Sequence, residues 1–503
     1  MRWLPAFLAI AVPALAGPTG AAASAAGSAS YALADYLKDV EAGNPSLAAS
    51  RETQSSMGTK AEEMDLIYTP FLSGAVNWLD DRKEPSSSFS PERTLASQWS
   101  LGLGQRLRTG TQIGLSYGMN YTKLFSQPAQ PLPASMAAYA PLFDAMASAF
   151  IPLPSYDAKA SLTISQSIWK ELVLGSTELT NRKIKAQASA GTLGERYRAA
   201  AIRFQAEEVY WRVGLVRRVF AAKRDSLERT RKMEAWAARR VEMNLGDRSD
   251  LLQAQAGVKF REVDLRGANQ DVLAAQRAFN SLRGREGDDI PETLDEIGVA
   301  SAGADIGVPA DAGTPRRLGG DRLDVRAAAE MVRAAQLGVR EAVSRGSPDL
   351  SIFGTAAFNG HDPTLSGSAS EGFTVDYPTW MAGAVITVPL GFGRVKRTVG
   401  AYKADLRGAE DALQRAKLDA ARDWRDLLGR WSDAAERLQL AKDLETLQQE
   451  KAVREQERYA SGRTTMYQVL AFEDDFSNAQ LLTMRVGYER LVLAAQARLY
   501  GAQ

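Results

Sequence analysis

The sequence has no cysteine and a single histidine, His361, among its 503 residues. Without cysteine there are no disulfides, no thiolate metal sites and no thiol to carry a lipid. Charge is balanced as well, 61 Lys+Arg against 60 Asp+Glu. A nucleic-acid partner normally demands a basic surplus, so that class is set aside. Past the N-terminus no stretch offers about 18 uncharged apolar residues, so no helix is expected to span a membrane. Any part that enters a bilayer must then be a closed β-barrel. No nucleophile motif or metal-ligand cluster is present, which argues against an enzyme and leaves no cofactor to name. His361, in "GHDP", is expected in an exposed loop. The glycines of "GLGQ" and "GFGR" sit in no βαβ pattern and are not phosphate loops.

What is present begins with a leader. Arg2, an apolar core from Trp3 to Leu15 and small residues at Ala14 and Ala16 predict a secretory signal peptide over residues 1–26. Cleavage is expected after Ala16 or among Ala23 to Ala26. The apolar run is short and broken by Pro5 and Pro13, unlike a membrane anchor.

The rest reads as one plan written twice. "GNPSLAAS" opens the first copy and "DRLDVRAAA" the second. Pro45 to Pro70 spans 25 positions, as does Leu323 to Pro348. The long arms run 77 positions from Ser167 to Asn244 and 73 from Pro389 to Gly462, about one helical turn apart. The return arms run 40 positions to Gly284 and 39 to Gly501. The expected units are a first repeat over 27–284, a Gly/Pro/Asp-rich linker over 285–320 and a second repeat over 321–503.

The arms carry coiled-coil seams. In the second, Val395, Val399, Tyr402, Leu406, Ala409, Leu413, Ala416 and Ala420 step by four and three. An extra step of four to Trp424 is a stutter, after which Leu427, Trp431, Ala434, Leu438 and Ala441 resume the pattern. The first arm has Ile202, Ala206, Val209, Val213, Val216, Phe220 and Leu227. An arm of about 65 residues extends on the order of 100 Å. Such helices pack as a solid bundle or as a hollow cylinder, and the seams alone do not choose.

Four to six strand-like runs lie between the arms, about 71–168 in the first repeat and 348–390 in the second. In "TQIGLSYGMNYT", Ile113, Leu115, Tyr117, Met119 and Tyr121 alternate with Gly114, Ser116, Gly118 and Asn120. In "SQWSLGLGQ", Trp99, Leu101 and Leu103 alternate with Ser100, Gly102 and Gly104. Runs starting at Phe71, Asp157, Pro348 and Trp380 are weaker. Apolar outside, small and polar inside, with Trp78, Trp99, Trp169 and Trp380 near strand ends, is an outer-membrane barrel pattern. Four or six strands are too few to close one, so copies of the chain must share it. Three copies would give 12 or 18 strands.

"NPSL" (Asn44 to Leu47), "RLDVRAA" (Arg322 to Ala328), "PDLSIFG" (Pro348 to Gly354), "ITVPL" (Ile386 to Leu390), "VEMNLGDRSDLLQAQ" (Val241 to Gln255) and "YASGRTTMYQVL" (Tyr459 to Leu470) stand in a doubled order. In that order they resemble the TolC-like outer-membrane efflux protein family over nearly all of the chain after the leader. The resemblance implies an α+β membrane protein. Its transmembrane β-barrel, shared by a homotrimer within the outer-membrane lipid, continues as a long α-helical coiled-coil cylinder in the periplasm. It also implies a channel-tunnel that passively passes drugs, metals or proteins from a periplasmic adaptor and an inner-membrane transporter, in a tripartite efflux or type I secretion system. The alternative is a non-conducting coiled-coil scaffold. Two departures stand out. Leu323 replaces the family's usual proline, and Ser97 to Pro154 exceeds the usual first strand pair. Extra barrel strands are favoured there over an extracellular flap.

By the same resemblance, the two last motifs are helix reversals at the periplasmic tip, where the tunnel narrows and the partner docks. Reversal needs a residue outside helical geometry, which glycine supplies readily and asparagine next. Asn244 and Gly462 are placed there, with Gly246 as the alternative to Asn244; Leu245, Ser249 and Thr465 complete the tip surface. The family's closed-tip latch, an aspartate bonded to a tyrosine and an arginine, falls on Asp250, Tyr459 and Thr464, with Arg463 one step before. The family's acidic rings fall on Gln468 and Ala471. Glu473, Asp474 and Asp475 are expected on a solvated helix face, with a displaced acidic ring as the alternative.

Overall fold

The computed structural model describes residues 31–82, 84, 91–125, 139, 141–142, 154–290, 294 and 322–501. The leader, most of the 285–320 linker and nearly all of the Pro/Ala-rich segment after Phe125 fall outside these residues.

Helices α1 (Leu33–Gly43) and α2 (Pro45–Glu63) lead through a 3-10 turn into strands β1 (Phe71–Arg82), β2 (Arg93–Arg106), β3 (Thr111–Phe125) and β4 (Ser155–Ser167). A π-turn (Ile168–Val173) passes the chain to α3 (Ser176–Glu242), and α4 (Arg248–Leu282) returns. The second pass has α5 (Leu323–Gly346), β5 (Asp349–Asp362), a short α6 (Leu365–Glu371), β6 (Pro378–Thr387), α7 (Phe392–Ala460) and α8 (Met466–Gly501). Every strand-like run of the sequence thus falls on a strand, the weaker ones included.

The strands make one antiparallel six-stranded sheet in chain order, β1 through β6. Its register sorts most of the side chains into two kinds of row, although Phe71, Phe353, Met381 and Val385 fall among the small and hydroxyl residues. Leu72, Leu103, Leu115, Leu162, Ala356 and Trp380 share one cross-strand row. The next row, which a strand's alternation puts on the opposite face, reads Ser73, Gly102, Ser116, Ser161, Ala357 and Thr379. Hydroxyl pairs tie strands on that second face, Ser116 to Ser161 at 2.7 Å and Thr163 to Thr355 at 3.1 Å. The apolar face is open to its surroundings, with Leu72 at 77 % and Trp380 at 75 % exposure. Part of it is covered by α6: the buried Ser368 hydroxyl accepts from Ala158 N and donates to Gly360 O, and Phe373 stacks on Tyr117. The two outermost strands, β1 and β6, each have one unpaired edge.

The helices form four tracks. α3 and α7, 67 and 69 residues long, run from the sheet to the far tip. The other two tracks are each made of two helices set end to end. Asn44 joins the first pair: its Nδ2 donates to the Leu282 carbonyl that ends α4, and its Oδ1 accepts from Ser46 N and Leu47 N at the start of α2. One side chain therefore caps the end of one helix and the start of the next. Arg322 joins the second pair, bonding Tyr500 Oη at the end of α8, Asp324 at the start of α5 and Asp423 on α7. In cross-section the order is α4/α2, α3, α8/α5, α7, and the first and last tracks meet at the tip, where Asp250 of α4 bonds Tyr459 of α7.

The seams are buried over part of their length, at Ala206, Val209, Val213 and Leu227 on α3 and at Ala420, Trp424, Leu427, Ala434, Leu438 and Ala441 on α7; the seam positions from Val395 to Ala416 are half-buried. The stutter residue Trp424 packs against Tyr500, ring centroids 4.9 Å apart. Three expectations need correction. His361 is not in a loop but ends β5, where register sets it opposite Asp157 and Nδ1 lies 2.6 Å from its carboxylate. Trp99 lies in the middle of β2, and Trp169 belongs to the π-turn.

Candidate functional site

Both long helices end the same way. At the end of α3, Leu245 N donates to Arg240 O at 2.8 Å; at the end of α7, Arg463 N donates to Arg458 O at 2.9 Å. Each is the long-range bond of a Schellman cap, which needs one left-handed residue just before the donor. Asn244 (φ 57°) and Gly462 (φ 73°) fill that position, and Asn244 is the one non-glycine with positive φ among the described residues. Gly246 does not make the reversal. It is small for another reason: a Cβ there would stand 2.9 Å from Arg240 Cβ, because the turn folds back onto the last turn of α3. Asp247 then caps α4 by accepting from Ser249 N at 2.8 Å.

Asp250, in the first turn of α4, reaches the other hairpin with both oxygens. Oδ2 accepts from Tyr459 Oη and Oδ1 from Met466 N, each at 3.3 Å. The second bond satisfies one of the orphan amides at the start of α8. Tyr459 is buried among Ala237, Ala254, Met466, Val469 and Leu470, with Trp236 edge-on at 4.6 Å. Burial, and then the neighbouring Asp250 charge, push its phenol up to about 12. It stays a hydrogen-bond donor at any physiological pH.

Thr464 and Arg463 do not join this cluster. Thr464, in the turn before α8, bonds Gln468 in the first turn of that helix. The cation comes instead from Arg240, which sequence reasoning missed. Its Nη1 donates to Tyr459 O at 3.2 Å and its Nη2 to Leu245 O at 3.0 Å. Its guanidinium lies over the rings of Trp236 and Tyr459, at 5.2 and 5.3 Å. Arg240 therefore bonds both turns at once. Leu245 and Tyr467 are exposed at the tip, at 66 % and 67 %; Thr465 begins the second return, accepting from Val469 N.

Of the acidic run above the tip, Glu473 is buried, whereas Asp474 and Asp475 lie on the exposed face expected for them. Glu473 is 1 % exposed and pairs with Arg229 at 2.7 Å; burial pushes its carboxyl up. Asp474 pairs with Arg261 at 2.8 Å and Asp475 with Lys451 at 3.1 Å. Each cation sits on another helix, 244 and 213 residues away for Arg229 and Arg261 and 24 for Lys451, so local spacing could not show it. Among the described residues there is no cluster of His, Asp or Glu set to hold a metal ion.

Comparison with known proteins supplies the family. Residues 315–502 match the model described as outer membrane efflux protein. Over those residues the chain is similar to outer membrane efflux proteins. With it, the TolC-like resemblance read from the sequence holds, and the outer membrane is where such a protein resides. The efflux-protein fold extends over nearly the whole chain. The outer membrane protein VceC of Vibrio cholerae is 15 % identical with a TM-score of 0.64, covering 93 % of this chain and 96 % of its own. The outer-membrane channel OprN is 14 % identical with a TM-score of 0.67, covering 94 % and 90 %. The open state of the Neisseria gonorrhoeae MtrE outer membrane channel is 15 % identical with a TM-score of 0.64, covering 93 % and 88 %. No curated protein sequence matches.

Proposed function

We propose that the chain is the outer-membrane channel-tunnel of a tripartite efflux or type I secretion system, a homotrimer that passively conducts its cargo and is gated at the periplasmic tip. The observation that carries this is the sheet. It has one apolar face, one face of small and hydroxyl residues, and an open edge at either side. Unpaired backbone is not tolerated in hydrocarbon, and six strands are too few to close. Three copies joined β6 to β1 make an 18-stranded barrel with its polar face inward. From the Ile113 row to the Tyr121 row the apolar band is about 20 Å tall at a 40° tilt, close to a membrane's needs.

The helices favour the same closure. The outermost tracks expose apolar residues, Leu252, Phe260 and Val263 on α4 and Leu440, Leu447 and Val453 on α7, which a neighbouring copy would cover. Below the membrane the tracks then form a periplasmic cylinder, and the doubled helix lengths fit a tandem duplication. At its tip, Asp250, Tyr459 and Arg240 hold the two hairpins together, and the exposed turns offer a surface to an adaptor that links the tunnel to an inner-membrane transporter.

Purified protein in a planar bilayer is expected to give discrete current steps. A trimer that inserts yet passes no current under any voltage would favour the non-conducting scaffold.

A further inference from the structure

Two helix ends beside the sheet carry charge of the wrong sign for their own dipoles. The first two turns of α7 hold Arg394, Lys396 and Arg397, with no acidic residue in the first turn, although a helix N-terminus favours anions. The last turn of α2 has one favoured cation, Lys60, and ends on Glu62 and Glu63, of the disfavoured sign. Arg394, Lys396, Arg397, Glu62 and Glu63 have no ion-pair partner among the described residues.

Both ends sit at the same end of the sheet but at its opposite edges. α2 runs up to β1 through the 3-10 turn, and α7 runs away from β6. In cross-section they are the outermost tracks at that level.

Their outward faces are complementary in shape too. The inward face of α7 carries Val395, against Gly346 of α5, and Tyr402, against Gly338. Half a turn round, by 100° per residue, lie Gly393, Arg397, Gly400, Ala404 and Gly408. A side chain placed on Gly393, Gly400 or Gly408 would meet nothing within 4 Å. α2 turns Leu47 and Ser50 inward, and Met57 meets Gly191 of α3. Its outward face carries Glu52, Thr59 and Glu63. The helices run in opposite directions relative to the sheet. Glu63 and Glu52 are about 16 Å apart along α2, and Arg397 and Arg407 about 15 Å apart along α7.

We infer that the occupant of this α7 face is α2 of a second copy of the chain, seated on the glycine stripe with Arg397 paired to the second copy's Glu63 and Arg407 to its Glu52. The inference rests on the shared-barrel reading: joining β6 to the next copy's β1 is what brings the two helices side by side. It adds that the joint below the membrane is set by charge, whereas the lower cylinder joins through the apolar residues of α4 and α7.

The absence of native cysteine makes the test direct. In Glu63→Cys/Arg397→Cys, oxidation should give disulfide-linked dimers and trimers on non-reducing gels. The control Glu63→Cys/Ala409→Cys, with Ala409 facing inward, should stay monomeric on the same gel. Arg397→Glu should weaken assembly in detergent roughly tenfold, and adding Glu63→Arg should restore it. A trimer by native mass spectrometry in which the first pair links no better than the control overturns the α2–α7 contact and leaves the shared barrel standing. A folded chain that remains monomeric in lipid overturns both.

Discussion

Arg240 donates to the main-chain oxygen of Tyr459 at 3.2 Å, so the last turn of α3 is bonded to the last turn of α7 across 219 residues of sequence. Asp250 ties the same tyrosine by its side chain. The tip is thus held by two contacts on opposite ends of one residue. A two-state element responds to the loss of contacts made in only one state. Asp250→Ala with Tyr459→Phe is expected to raise single-channel conductance roughly twofold or more. Arg240→Ala should do the same, and Arg240→Lys, which keeps the charge but not the two-pronged donor, should recover only part. Unchanged conductance in all three would remove the latch from this tip.

Asn244 holds a left-handed conformation that a side chain without a short polar group resists. Asn244→Gly should leave thermal stability within about 0.5 kcal/mol, whereas Asn244→Val should cost about 1–2 kcal/mol. Calorimetry or denaturant titration of the two variants reads the difference directly. Equal values would mean that the turn is not held as described.

The two faces of the sheet predict opposite tolerance for charge. Leu115→Arg places a cation in the middle of the apolar face and should cost about 2–4 kcal/mol of stability in lipid. Ser116→Arg, on the neighbouring position and the opposite face, should insert normally and alter ion selectivity. The comparison is made by refolding into vesicles and then by reversal potential. If Leu115→Arg inserts as well as Ser116→Arg, the apolar face does not meet lipid.

Acid should loosen the helices just below the sheet. Burial alone would raise the Glu341 carboxyl, but bonds from Lys183 and Thr180 and the Arg345 charge outweigh it, and the group is held below the usual range. A lowered folded pKa contributes stability that is complete above the unfolded value of about 4.3 and is lost as pH falls through the folded one. Glu341→Gln should therefore be less stable than the parent at pH 7, with the gap narrowing below about pH 4. A gap that is constant from pH 7 to pH 3, measured by thermal unfolding, would contradict the pairing.

The long helices, the six strands and the two reversals were legible because each leaves a periodic or conformational mark in neighbouring residues. Heptads announce Ala206 and Trp424, alternation announces Leu115, and a positive φ selects asparagine or glycine. Arg240, Glu473 and Glu341 were not legible. Each is a charged residue on a long helix, indistinguishable in sequence from a solvated one. Its partner lies 219, 244 or 158 residues away, and only the packing of the tracks brings them together. Strand number stayed open for a different reason: small residues on the apolar face, Gly74 in β1, Ala158 and Ala160 in β4, Gly354 and Ala356 in β5, dilute the alternation.

Asn44 and Arg322 divide the helical tracks into two lengths that answer to different demands. From the tip to those joints, the tracks are α4, α8 and the far parts of α3 and α7; from the joints to the sheet, they are α2, α5 and the near parts. Heptads added in concert to the first set would move the tip further from the membrane while leaving the sheet and its supporting helices as they are. The distance from the sheet to the tip is in this architecture a separately adjustable dimension, set below the joints by α4, α8 and the far parts of α3 and α7.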